Sequence, residues 1–332
     1  MHLIKNSEIA IEDWDRLLFS SPYTSVFQTP AFFDLFNAVP GLSARVLAIN
    51  EGSELKALCV VTLQKETGIK GYFSRRAIIY GGPVLKENEN EDYLIYLLNS
   101  LSAEFTRETI YLEIRNLSNY FKYKGIFNRG EWQYIPYQNF KVDCSDKDAL
   151  FNKLGNNRKR QIKKAVATGV EIKEAENLNE IDEYYAILKR IYQKKIKKPV
   201  LPQMFFEEFF KRNLGKYLLV TYKDKIIGGI MCPVLAGKCI YELYICGLDE
   251  EFKDQHPSIM ATWSAIEYAS NNNIPLFDFM GAGKPDEKYG VREFKARFGG
   301  EIVEYGRFLK INNHFLYNLG KLGLKAKRSF IK

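Results

Sequence analysis

One order of elements occurs twice along the chain, and it constrains the fold more than any single motif. In the first half, RVLAIN (Arg45–Asn50), a polar turn over residues 51–54 and LKALCVVTL (Leu55–Leu63) predict an antiparallel hairpin. A strand (Ala77–Leu85), a helix (Glu91–Glu108) and a short strand (Ile110–Asn116) follow. In the second half, Lys216–Tyr222, a turn over residues 223–225 and Ile226–Leu235 predict the same hairpin. A strand (Lys238–Leu248), a helix (Ser258–Ser270) and a strand (Ile274–Met280) complete it. The strands rest on β-branched and aromatic runs between turns, the helices on 3.6-residue periodicity. Tyr93, Leu94, Leu97, Leu98 and Leu101, for example, share one helical face.

A strand–helix–strand crossover makes its two strands parallel, so each half predicts a mixed sheet. An antiparallel hairpin followed by one such crossover resembles the core of the GNAT acyltransferases. The predicted fold class is therefore α/β with mixed sheets, as two tandem GNAT-like domains. The expected divisions are a first domain over 1–145 and a second over 146–310. A basic amphipathic helix over 311–332 completes the chain. Between the two copies lies a helical stretch, Ala149–Phe210.

At 332 residues the chain is long enough for two ordinary cores, and 46% hydrophobic against 27% charged residues excludes wholesale disorder. No apolar run is long enough to span a membrane. Acidic residues Glu8, Glu12 and Asp13 stand where an export signal would be apolar. Five cysteines without a CxxC pair point to reduced thiols in a cytosolic protein. Charge is divided unequally: residues 1–140 hold 14 Lys and Arg against 16 Asp and Glu, residues 141–332 hold 34 against 24. Basic runs at Arg158–Lys164 and Lys189–Lys198, and an acid-free tail after Glu304, suit an anionic partner such as RNA, a nucleotide diphosphate or an anionic membrane. In the tail, Phe315, Leu316, Leu319 and Leu322 fall at helical spacing beside cations, the pattern of a helix on a membrane surface or docked on its own domain.

Familiar site motifs fail their tests. Gly281-Ala282-Gly283-Lys284-Pro285-Asp286 lacks the third glycine of a dinucleotide fingerprint and the Ser/Thr of a P-loop. Cys232, Cys239 and Cys246 are spaced for alternating strand faces rather than for a metal, and three scattered histidines support no triad. A coenzyme A enzyme of GNAT type usually carries a glycine-rich pyrophosphate loop before the crossover helix. Here that place reads Asp254-Gln255-His256-Pro257-Ser258, without glycines and with one N–H removed by proline. A different acyl donor is expected, and no cofactor.

FDFMGAGKPDEKYGVREFKARFGG (Phe277–Gly300) resembles the C-terminal signature of the Fem (FemABX) peptidoglycan-bridge aminoacyltransferases. Arg158–Ile172, Phe27–Phe36 and Ile79–Leu85 resemble further segments of that family, in the right order. The resemblance implies transfer of an amino acid from aminoacyl-tRNA to an amine of a peptidoglycan precursor; another cell-envelope acceptor, such as a lipid-linked one, is the alternative. Such a transfer needs the oxyanion stabilised and the amine deprotonated, and Lys295 is the candidate catalytic ammonium for the oxyanion or the donor's phosphate, with Asp278 as a general base or a structural acceptor. Arg292, Arg297, Glu242, Tyr244, Arg158, Lys159 and Gln28 are candidate substrate contacts. Two rival readings are a GNAT-fold acyltransferase using acyl-CoA or an acyl carrier on an envelope sugar or lipid, and a non-catalytic module that binds RNA or an anionic membrane.

Overall fold

The computed structural model describes residues 1–66, 68–197 and 199–329, with no side-chain description for residues 69, 70 and 324–329. Lys198 of the central basic run and residues 330–332 of the basic tail lie outside the described residues. The chain forms two compact units, residues 1–136 with 305–332 and residues 137–304.

The first unit is built on an eight-stranded mixed sheet. Its order is His2–Lys5, Leu42–Glu51, Glu54–Gln64, Arg76–Gly81, Tyr111–Asn116, Arg307–Ile311 and Gln133–Ile135. The long hairpin closes through Gly52 at φ 61°. Arg76–Gly81 and Tyr111–Asn116 run parallel, joined by the helix Glu91–Phe105. The side chain of Asn90 accepts from the Asp92 N–H and caps that helix, whose Tyr93, Leu94, Leu97, Leu98 and Leu101 face is buried against the sheet. The predicted strand Ala77–Leu85 is two pieces. The chain turns at Gly81 and Gly82, and Val84–Leu85 crosses to pair with Glu54–Gln64. Gly82, at φ 95°, lies so close to Tyr120 that a Cβ would sit 2.7 Å from its ring.

The second unit repeats the plan. Its sheet runs Glu301–Glu304, Gln138–Asp143, Leu276–Asp278, Cys239–Tyr241, Lys225–Leu235, Gly215–Tyr222 and Val170–Glu174, with Tyr244–Gly247 also on Lys225–Leu235. Lys223 and Asp224, at φ 49° and 60°, make the two-residue turn that favours hairpin twist. The crossover helix Pro257–Asn271 is buried on almost every side, and Ala261, Ala265 and Ala269 recur every turn, where large side chains would hold it off the sheet.

Two boundaries differ from those expected. Gln138–Asp143, placed with the first domain from sequence, pairs antiparallel with Leu276–Asp278 and Glu301–Glu304 in the second sheet. Arg307–Ile311, placed with the second, pairs with Tyr111–Asn116 in the first. The division at 145 and 310 therefore moves to 136 and 304, because long-range pairing, not chain proximity, assigns an isolated strand. The stretch 149–210 is not uniformly helical. It holds the helices Asn156–Ala167, Leu178–Ile191 and Gln203–Lys211, and the edge strand Val170–Glu174. All five cysteines are buried and free. Among the described residues no helix is long and apolar enough to cross a membrane.

A charged cluster pins the returning strand. Glu113 pairs with Arg115 at 2.8 Å and with Arg307 at 2.9 Å. Burial opposes the charged form of Glu113, but the two guanidiniums outweigh it and lower its pKa to about 2. Stability from this carboxylate is present above its ordinary pKa of about 4.3 and is lost as pH falls through the lowered value. Glu113→Gln is expected to cost about 3 kcal/mol at neutral pH. In urea unfolding, the gap to wild type should close between about pH 4.3 and pH 2.

Candidate active site

In the second unit two parallel strands part company, and the candidate site is built where they do. Cys239–Tyr241 and Leu276–Asp278 pair in register, Ile240 with Phe277 and Tyr241 with Asp278. The Glu242 N–H donates to the Asp278 carbonyl at 2.9 Å as the last rung. Beyond it, Leu243 and Tyr244–Gly247 follow Lys225–Leu235, while Phe279 donates its N–H to Phe140 on the opposite side. The predicted continuous strand Lys238–Leu248 is thus broken at Glu242–Leu243. Met280 at φ 55° and Gly281 at φ 131° turn the second arm away.

Parting strands leave carbonyls without ladder partners, and buried carbonyls need donors. Lys295, on the short helix Gly290–Ala296, supplies them. Its Nζ donates to the carbonyls of Phe279 at 2.7 Å and Gly281 at 2.9 Å, and lies 3.0 Å from Glu242 Oε1. The side chain is 9% exposed and has three acceptors for its three N–H groups. One ammonium therefore bridges both arms of the opening. It is a buried strut, whereas the sequence suggested a cation open to substrate.

Glu242 is buried beside it. Burial raises its pKa, against the lowering effect of Lys295. Its Oε2 has no hydrogen-bond partner among the described residues. Aromatic rings lie next to it in sequence and space: Tyr244 packs on Phe206 at 5.0 Å and on Tyr192 at 5.9 Å. Burial and the nearby Glu242 push the Tyr192 phenol up. Tyr192 opens a π-helical turn, Tyr192–Ile196, within the Lys189–Lys198 run. The sequence showed that segment only as a basic run.

Asp278 is fully buried and holds the turn. Its Oδ1 accepts from the Asn139 side chain and the Met280 N–H, both at 2.7 Å, and its Oδ2 lies 3.5 Å from Lys141 Nζ. Asn139 Oδ1 in turn accepts from the Gly281 N–H at 2.7 Å. That N–H is therefore not open to a phosphate. Asn139 and Lys141 went unnoticed in the sequence because their strand was assigned to the other domain. The signal was the polar alternation in QNFKVD.

Arg292 clamps the following loop, donating to the carbonyls of Ala282 at 3.0 Å, Pro285 at 2.9 Å and Lys284. Arg158 is 2% exposed, lies against the T-shaped ring pair of Phe294 and Phe298, and donates to the Phe294 carbonyl at 3.1 Å. Burial and Arg297 lower its pKa to about 10. It is a packing element rather than an RNA contact. Arg297 is exposed and Lys159 half-buried, and neither forms an ion pair among the described residues. Gln28 belongs to the first unit and is fully buried. Its amide donates to the carbonyls of Val60 and Tyr80 and accepts from the Val60 N–H, which ties two strands together. No polar atom of that amide faces solvent, so substrate contact by Gln28, expected from sequence, gives way to a structural role.

The N-terminus of the crossover helix has its own anion. Asp249 accepts from the Ser258 N–H at 3.1 Å and from the Ser258 hydroxyl. Gly247 approaches so closely that a Cβ there would lie 2.5 Å from the Ser258 nitrogen. A carboxylate thus stands where a pyrophosphate would need bare N–H groups.

Removing one partner of a buried ion pair leaves an uncompensated charge, at a cost of about 3–5 kcal/mol. Lys295→Ala should show a loss of that size in denaturant unfolding, and adding Glu242→Gln should recover part of it. A Lys295→Ala protein as stable as wild type would mean that the bridge does not hold the opening.

Residues 223–324 match the model of the FemAB family. The chain is 22% identical over 418 residues to aminoacyltransferase FemA of Staphylococcus aureus (strain MRSA252), covering 95% of this chain and 97% of that protein. A crystal structure of FemX superposes with a TM-score of 0.72 at 14% identity, over 96% of this chain and 99% of that one. A tandem GNAT protein from the clavulanic acid biosynthesis pathway gives 0.58 at 10% identity, over 94% and 99%. Over most of its length the chain is similar to the Fem aminoacyltransferases, it matches the FemAB model in residues 223–324, and it has a tandem GNAT-like fold.

Proposed function

We propose that the protein transfers an amino acid from aminoacyl-tRNA to an amine of a peptidoglycan precursor. The curated relative is an aminoacyltransferase. The observation that favours this donor over acyl-CoA is the Asp249 carboxylate on the Ser258 N–H, because a second anion there meets like charge and an occupied donor. Exposed Arg297 and half-buried Lys159 offer cations to an RNA or precursor phosphate.

The reaction forms an amide and breaks an ester. The acceptor amine loses a proton as it attacks the ester carbonyl, the tetrahedral oxyanion collapses, and the tRNA ribose oxygen leaves and takes a proton. Glu242 is the proposed proton acceptor. It stands at the opening, its pKa is raised by burial, and Oε2 has no partner among the described residues. Lys295 is a positioning residue that fixes Glu242 Oε1 and both arms. Tyr192 and Tyr244 supply the apolar wall that keeps water from the ester.

The test supplies purified protein with charged tRNA or acetyl-CoA and a precursor bearing a free amine. Amide product from charged tRNA alone is expected, and product from acetyl-CoA alone would overturn the donor assignment. Glu242→Gln should lower turnover by about 10²–10⁴ and remove the acid limb of the pH profile. An unchanged profile would take Glu242 out of the reaction.

A further inference from the structure

The C-terminal helix, His314–Ser329, has two unlike faces. Leu316 is buried, and Tyr317 meets Tyr111 edge-on at 5.5 Å, which docks the helix on its own unit. The sequence put Leu316 in one stripe with Phe315, Leu319 and Leu322, but these three are 76%, 44% and 63% exposed. Spacings of four and three residues align them on the outer face. The helix packs beside the short helix Ile69–Ser74, whose Tyr72 and Phe73 are also exposed. Five large apolar or aromatic side chains on two neighbouring helices form a patch of the kind that marks an interaction surface.

A second observation adjoins the first. Arg75 and Arg76, the next residues along the chain, line a cleft of about 560 Å³ together with Arg45, Lys65 and Arg107. Glu104 and Glu108 neutralise Arg45. The other four cations form no ion pair among the described residues, and Glu108 is the sole acid in the lining. The Arg75 guanidinium lies 4.4 Å above the Tyr72 ring, which joins the cleft to the apolar patch. A concave site with a surplus of positive charge concentrates anions.

We propose that the first unit docks on an anionic phospholipid bilayer. Phe315, Leu319, Leu322, Tyr72 and Phe73 enter the headgroup–acyl boundary, and the cleft of Arg75, Arg76, Arg107 and Lys65 takes lipid phosphates. An exposed apolar stripe alone fits many protein partners, and a cationic cleft alone fits RNA or free phosphate. Side by side they match the two halves of one anionic lipid. The proposal does not depend on the reaction assigned to the second unit.

The test sediments the full chain with vesicles of phosphatidylcholine alone or mixed with phosphatidylglycerol. Recovery should require the anionic lipid and fall as salt is raised. Arg75→Gln with Arg76→Gln should weaken binding about 25-fold, roughly fivefold per cation. Phe315→Ser with Leu322→Ser should weaken it at least about tenfold, since these side chains carry the apolar burial. Phe315 and Leu322 are exposed, and Arg75 and Arg76 are half-buried with glutamine able to keep a side-chain hydrogen bond, so unfolding midpoints should stay close to the wild-type value. If either variant fails to fold, the lipid and salt dependence of the wild-type chain decides. Equal recovery with both vesicle types, no recovery with either, or folded variants that bind like wild type would overturn the proposal. Binding to an RNA oligomer or pyrophosphate without binding to vesicles would overturn it as well.

Discussion

The Lys295–Glu242 pair ties together two strands of the second sheet at the point where they part. Where Cys239–Tyr241 and Leu276–Asp278 diverge, two backbone carbonyls lose their ladder partners, and one ammonium satisfies both while reaching Glu242 at 3.0 Å. Such a pair adds little net stability over an apolar pair of similar volume, because two ions must leave water. Its value is positional. The bridge ties the two arms, and one carboxylate oxygen of Glu242 stays buried without a hydrogen-bond partner among the described residues, a costly arrangement that a functional site explains better than packing does.

Around that bridge the other polar residues act on the backbone. Asp278 and Asn139 tie the Met280–Gly281 turn, Arg292 collects three carbonyls of the next loop, and Arg158 packs against two phenylalanine rings. The charged residues that stood out in the sequence are therefore largely scaffolding. The proposed chemistry falls to Glu242, which lies where the strands part, beside Tyr192 and next to Tyr244 in the chain. This division suits aminoacyl transfer, where the donor ester is already activated and the protein must chiefly hold the amine, accept its proton and exclude water.

Much of the fold was legible because it rests on periodicity. The Tyr93–Leu101 helical face, both hairpins and both crossovers sit where apolar spacing put them. The exchanged strands were not legible. QNFKVD and RFLKI are short and polar-alternating, and nothing local states which sheet they complete. The site was half legible. Lys295, Glu242, Asp278 and Arg292 were marked by their charge in apolar surroundings, but charge alone does not separate a ligand-facing cation from one buried on backbone carbonyls. Gln28 and Arg158 show the same limit: burial is a property of the assembled core, and sequence gives only residue type.

The most direct measurement is a crystal structure with a non-hydrolysable aminoacyl-ribonucleoside, its ester replaced by an amide. The account predicts the aminoacyl carbonyl at the opening between Glu242–Tyr244 and Phe279–Gly281, with the Lys295 bridge intact and Glu242 Oε2 near the acceptor side. An aminoacyl group seated at the N-terminus of the helix Pro257–Asn271 in place of the Asp249 carboxylate would contradict it.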